Sequence, residues 1–132
     1  MLAVSRVRVK ESAAAALEAE RVRDAMLSIT FVGRVAMSEL NRRYLGHQGP
    51  TDVISFGLGR SGKRGAVVGD IYICQEIARD NAKRQRIPVG QEMLRLVVHG
   101  TLHVLGHDHP TGKSRTASAM WRLQERILAR VL

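Results

Sequence analysis

Between Val89 and Leu105 the chain reads VGQEMLRLVVHGTLHVL, which places Met93, Leu94, Leu96, Val97, Val98, Leu102, Val104 and Leu105 on nearly every side of a helix. A helix with no polar face has no side to offer to water, so other elements must pack all round it. The prediction is a central, buried helix. A chain of 132 residues has the length of one domain and can build one core around such a helix. We therefore expect a single domain over residues 1–132.

The flanking segments supply the packing partners. Residues 4–9 (VSRVRV) suggest a short strand, and ESAAAALEAERVRDAML, rich in Ala, Leu and Glu, reads as a helix to about Leu27. SITFVG follows as a strand. Ala36 to Leu45 is a short helix, stopped by Gly46 and by a loop containing Pro50. VISF (53–56) is a strand, GLGRSGKRGA a Gly-rich basic loop, and VVGDIYIC (67–74) a second strand, so the two form a hairpin with a cationic tip. Gln75 to about Ile87 is a polar helix ended by Pro88. After a loop near His109 to Lys113, the tail from Ser114 carries Ala117, Met120, Trp121, Ile127, Leu128 and Val131 at helical spacing, a closing helix in which Met120 is a core residue. Helices and strands mix without regular βαβ units, which predicts an α+β fold with a small mixed sheet packed around the central helix.

Charge narrows the partners. The chain holds 21 Lys+Arg against 12 Asp+Glu, a net charge of +9, and 17 of the 21 are Arg, the planar fork suited to phosphate. A polyanion is the expected partner. No stretch approaches the roughly 20 apolar residues of a membrane helix and the N-terminal apolar run is too short for a signal peptide, so we expect a cytoplasmic protein with no membrane partner. The one cysteine, Cys74, can form neither an internal disulfide nor a Cys-based zinc site.

Four of the five histidines fall within HGTLHVLGHDH (99–109). His99 and His103 are four residues apart, on one helix face at adjacent turns, the spacing by which a helix offers two imidazoles to one ion. A third ligand is then required. In a continued helix His107 would lie about 12 Å from His99 along the axis, beyond the reach of one zinc. Gly106 tolerates the backbone that ends a helix and reverses the chain, so His109 can fold back toward the pair, with His107 as the alternative third ligand. Three neutral ligands leave one Zn²⁺ with its full charge and an open position, the arrangement for activating water; a closed structural site is the other reading.

His99, His103, Gly106 and His109 are in register with HExxHxxGxxH of the metzincin zinc proteases. Those enzymes carry a general-base Glu where this chain has Gly100, so peptide hydrolysis is disfavoured. HGTLHVLGHDH, taken with LNRRYLGHQGPTDVISF and VVGDIYIC, closely resembles the YbeY-type rRNA maturation factors, bacterial metal-dependent endoribonucleases, over about residues 28–110. The resemblance implies a zincin-like α+β fold and a zinc ion on His99, His103 and His109. It also implies action on single-stranded RNA, in 3′-end processing of small-subunit rRNA and in ribosome quality control, with a small-subunit ribosomal protein and an Era-type GTPase as partners. Many members carry Arg after the Tyr that matches Tyr44, where this chain has Leu45, and commonly Tyr at the position of His107.

The remaining candidates follow from that reading. His99 and Arg42 are the candidate catalytic residues. If 36–45 is helical, position 42 lies only about 60° from position 45 and position 43 about 200° away, so Arg42 is the substitute cation by direction. Asp108 is either a carboxylate orienting a ligand imidazole or a turn residue. Asp52 reads as a strand-edge hydrogen bonder ahead of a base, and Glu92 with Arg95 as a helix pair. Aromatic residues are 4% of the chain, so stacking on RNA is limited to one contact, from Tyr44 or Phe56. Three functions are expected in order: a zinc endoribonuclease without a small-molecule cofactor, a ribosome-assembly RNA-binding factor with a structural zinc, and a peptide hydrolase.

Overall fold

The structure is a computed structural model that describes residues 2–109, 116 and 118–132. Helix α1 spans Arg6–Ala19. Residues 4–9 are expected as a strand, but Ser5 takes an extended backbone and its Oγ accepts from the Arg8 N–H (3.2 Å), capping a helix that begins at the next residue. The helix also ends earlier than the Leu27 expected. Ala25–Val32 is strand β1, because Leu27 and Ile29 turn inward while Met26, Ser28 and Thr30 face solvent, and the strand finds a partner far along the chain.

That partner is β3, Ala66–Cys74, which pairs in parallel with β1 from Ala25↔Val67 to Val32↔Cys74 and antiparallel with β2, Val53–Ser61. Among the described residues the sheet has three strands in the order β1-β3-β2. The segment expected as a loop at 57–66 is mostly ladder: Arg60 pairs Val67 and Ser61 pairs Ala66, past an irregularity after Gly57, so only the tip at 62–65 turns. The cationic residues Lys63 and Arg64 sit at that tip.

Helix α2, Arg34–Leu40, runs into a π-helical turn, Asn41–Leu45, ended by Gly46 at φ 68°. The buried Asn41 donates through Nδ2 to the Gly49 carbonyl (2.9 Å), tying the following loop to this turn. Helix α3 is Gln75–Gln85, α4 is Val89–Val104 and α5 is Ala119–Val131. The central helix is α4. One side meets β3, where Met93, Leu96 and Val97 join Val67, Ile71 and Ile73; another side meets α1 and α5, where Val98 and Leu102 join Ala16, Met120 and Ile127. Each fully buried Leu, Ile, Val or Met there stabilises the fold by about 1.5–3 kcal/mol. At Gly100 the helix backbone comes so close to the sheet that a Cβ would lie 2.7 Å from Ile71 Cγ2 and 3.0 Å from Ser55 Oγ. The fold is α+β and zincin-like, and among the described residues no helix is long and apolar enough to cross a membrane.

Candidate metal centre

His99 and His103 project from successive turns of α4 with ring centroids 4.6 Å apart. Helix α4 closes with the Gly106 N–H bonded to the His103 carbonyl and the His107 N–H to the Leu102 carbonyl, and Gly106 at φ 102° turns the chain back. His109 thereby returns to the pair, its ring 5.0 Å from each of the other two. One ring nitrogen from each of the three lies within 4.8 Å of the others. Asp108 makes the turn: its Oδ1 accepts from the His109 N–H (2.8 Å). His107 goes elsewhere, its Nε2 bonded to Glu20 Oε1 at the end of α1. Of the two histidines weighed as third ligand, the fold brings His109 to the pair.

His99 is 4% exposed, while His103 and His109 are half-buried, so the cluster is sealed on the α4 side and open on the other. The opening is a cavity of about 330 Å³ lined by the three histidines, Leu45, Thr51, Asp52, Val53, Ile54 and Ser55. Its donor chemistry fits a divalent cation. Gln124 Oε1 lies 2.5 Å from His99 Nδ1, and an amide oxygen only accepts, so Nδ1 carries the proton and Nε2 keeps its lone pair for a metal. Neutral imidazoles suit Zn²⁺, with Zn–N near 2.0–2.1 Å. Gly100, where a metzincin would carry Glu, has no room for a side chain because of the Ile71 and Ser55 contacts.

Arg42 is not brought to the histidines. Its Nη2 bonds Glu39 Oε1 (2.5 Å) on the solvent side, and it faces a separate groove with Val35, Ser38, Gln48 and Gly49. The offset of about 60° expected between Arg42 and Leu45 belongs to α-helical winding. The π turn at 41–45 has i→i+5 bonding and fewer degrees per residue, so three steps fall further short of a full revolution and separate Arg42 from Leu45. Leu45 itself lines the cavity. Exposed Tyr44 packs edge-on against Phe56, centroids 5.5 Å apart.

The opposite wall carries Asp52. Among the described residues lining the cavity it is the one carboxylate, and its Oδ2 accepts from Asn81 Nδ2 (3.0 Å). Behind the histidines, Glu92 and Arg95 form the expected helix pair (2.6 Å), and Arg95 also grips Glu125 through Nε and Nη2, both 2.9 Å. Burial works against the Arg95 charge, but hydrogen bonds to Glu125 and Glu92 more than offset it and hold the guanidinium above its usual range. Burial likewise raises the Glu125 carboxyl, and the bonds from Arg95 and Gln124 outweigh it, leaving Glu125 below the ordinary carboxylate range. Sequence reasoning missed Gln124, Asn81 and Ser55. Ser55 Oγ lies buried on the cavity wall with no hydrogen-bond partner among the described residues. The one signal for Gln124 was a glutamine standing in the apolar stripe Met120, Ile127, Leu128.

Comparison with known proteins agrees with this arrangement. The family described as Endoribonuclease YbeY matches residues 3–132. Endoribonuclease YbeY of Syntrophus aciditrophicus is 36% identical over 108 residues, 80% of this chain and 68% of that protein. The protein of the same name from Persephonella marina is 33% identical over 125 residues, 93% of this chain and 81% of its own. A Thermotoga maritima protein solved in solution superposes with a TM-score of 0.62 at 27% identity, covering 96% of this chain and 83% of that one. With a family match over nearly its whole length and relatives above 30% identity across most of both sequences, the chain belongs to the YbeY family.

Proposed function

We propose that the chain is a zinc-dependent endoribonuclease for single-stranded RNA, a single domain with one zinc ion, working in the cytoplasm. Its place in this reading is 3′-end maturation of small-subunit rRNA and ribosome quality control. Its partners there are the rRNA, a small-subunit ribosomal protein and an Era-type GTPase. The observation that carries the reading is the convergence of His99, His103 and His109 on the wall of an open cavity in a chain whose relatives bear the name endoribonuclease.

His99, His103 and His109 would hold the ion, which when bound supplies a Lewis acid beside the scissile phosphate. The chain's own residues prepare that meeting. His99, buried and with its Nδ1 proton committed to Gln124, presents Nε2 in one orientation. Because the three ligands are neutral, the protein leaves the cationic charge of the site uncancelled for a phosphodiester. Arg42 is the cation we assign to charge developing on the phosphate. It must leave Glu39 to do so, and an exposed ion pair of that kind is worth under about 1 kcal/mol, so a phosphate accepting a bidentate arginine can displace it. The net charge of +9 draws the polyanion in and concentrates it at the surface.

A specific observation favours a second reading, an assembly factor that binds RNA around a structural zinc: the apolar Leu45 lines the cavity where the family resemblance places Arg. Incubating zinc-loaded protein with labelled single-stranded RNA, duplex RNA and an unfolded protein separates the possibilities. We expect cleavage of the single strand alone, abolished in His103→Ala. RNA bound but uncut by the zinc-loaded wild type would establish the second reading, and cleavage of the unfolded protein would overturn both.

A further inference from the structure

We propose that Gln124 is a positioning residue for the metal centre, holding the His99 ring and its tautomer from helix α5; the inference rests on the metal reading above. Gln124 is 0% exposed and sits in the stripe by which α5 packs on α4, beside Met120, Ile127 and Leu128. A buried amide in such a stripe is tolerated only with both ends bonded. Both are: Oε1 meets His99 Nδ1 at 2.5 Å, and Nε2 donates to Glu125 Oε2 at 3.1 Å.

The chemistry of the partners fixes the direction of every bond. Arg95, a donor only, holds the Glu125 carboxylate with two bonds of 2.9 Å. That carboxylate only accepts, so it must face the amide nitrogen of Gln124, and the amide oxygen must face His99. His99 Nδ1 is then the protonated nitrogen. A free imidazole can carry its proton on either nitrogen; without an acceptor at Nδ1, this ring gains tautomers and rotamers that hide the Nε2 lone pair from the cavity. The same network continues from Arg95 to Glu92 (2.6 Å), from Glu92 to Asn81 (3.3 Å) and from Asn81 to Asp52 (3.0 Å). A single hydrogen-bonded path thus runs beneath the cavity from the histidine wall to the Asp52 wall, and Gln124 is its terminal link to the cluster.

The test compares Gln124→Met, which keeps the length and loses both the acceptor on His99 and the donor to Glu125, with Gln124→Glu, which also loses that donor but keeps an acceptor on His99, so the two differ at the His99 bond. Zinc affinity is measured by competition with a chromophoric chelator, and the His99 tautomer by ring ¹⁵N shifts of the metal-free protein at a pH where the imidazole is neutral. We expect Gln124→Met to bind zinc about 10–100-fold more weakly and to lose the single Nδ1–H signature. Gln124→Glu should stay closer to the wild type in affinity. A purely structural role predicts the reverse order, because a carboxylate suits a buried apolar stripe worse than methionine does. Equal zinc affinity for Gln124→Met and wild type overturns the proposal alone, and a wild type that binds no zinc overturns the metal reading beneath it. Should Gln124→Met fail to fold, a wild-type His99 protonated on Nε2 would still refute the assignment.

Discussion

The two sides of the cavity are built to different standards. On the α4–α5 side, His99 is 4% exposed and backed by buried Gln124, Arg95 and Glu92, with Glu125 bonding Gln124 to Arg95 and Arg95 bonding Glu92. On the other side, the π turn brings Leu45 to the cavity; Arg42, Arg43, Tyr44 and Leu45 are all exposed, and Arg42 pairs with Glu39 at a separate groove on the surface. Under the function proposed above, the difference is a division of labour. A metal ligand must be placed to within a fraction of an ångström, and only packed, fully partnered side chains do that. A cation that meets a flexible polyanion needs reach, which exposed arginines keep.

The comparison breaks most visibly at the ligands. His103→Ala and His109→Ala should drop bound zinc from about one per chain to near none, whereas His107→Ala, whose ring lies on Glu20, should retain it. Elemental analysis after dialysis decides the matter, and loss in His107→Ala with retention in His109→Ala would reverse the assignment.

Next in size is the buried network itself. The Arg95 and Glu92 side chains are 10% and 4% exposed; Arg95→Met leaves the Glu92 carboxylate buried without its cation, a loss of about 3–5 kcal/mol. Urea unfolding of the metal-free protein measures it, and the matching change at the surface, Arg42→Met, should cost under about 1 kcal/mol. The pH dependence sharpens the test. Glu125 sits below its ordinary value because bonds from Arg95 and Gln124 outweigh its burial, so it binds fewer protons folded than unfolded. Its contribution is complete above the unfolded value, about 4.3, and disappears as pH falls through the lower folded value. The stability gap between wild type and Glu125→Gln, with Arg95 and Glu92 facing the site in both, should therefore narrow on acidification from pH 6 to pH 3. A gap that widens would mean the carboxylate is not held by Arg95.

Local pattern and long-range pairing explain what could be read in advance. Helix α4 was legible because its signal is local: sixteen residues without a polar face, with histidines at one helical spacing and a glycine where the chain reverses. The start of α1 was not. VSRVRV, with three valines in six residues, reads like a strand, and the outcome turns on the Ser5 cap and on packing of Val9, Ala13 and Ala16 against α4. Ala25 to Leu27 looked helical for the same reason in reverse, since only the parallel ladder with β3, some forty residues on, makes them a strand. The π turn has no compositional signature, so the direction in which it carries Arg42, toward a separate groove, does not follow from ordinary helical spacing. Gln124 meets His99 across 25 residues, a contact set by how α5 lies on α4, which no spacing rule contains.

The smallest effect tests the exposed side. If Arg42 serves the phosphate, Arg42→Ala should slow cleavage of single-stranded RNA at least ~10-fold, about 1.4 kcal/mol in the barrier, with bound zinc unchanged. Arg43→Ala should act mainly on affinity. The pair with Glu39 (2.5 Å, both side chains more than half exposed) makes a finer prediction. Holding Arg42 on the surface costs the reaction whatever that pair is worth, so Glu39→Gln should raise the rate by up to a few-fold, the span of an ion pair below about 1 kcal/mol. The gain should vanish in the double variant with Arg42→Ala, because no arginine is left to release. Leu45→Arg places a guanidinium on the cavity wall directly and should make Arg42 dispensable. Single-turnover rates at saturating RNA separate these outcomes from changes in binding. Equal rates for wild type and Arg42→Ala would remove Arg42 from the chemistry, and activity found only in Leu45→Arg would move the wild-type chain from nuclease to RNA-binding factor.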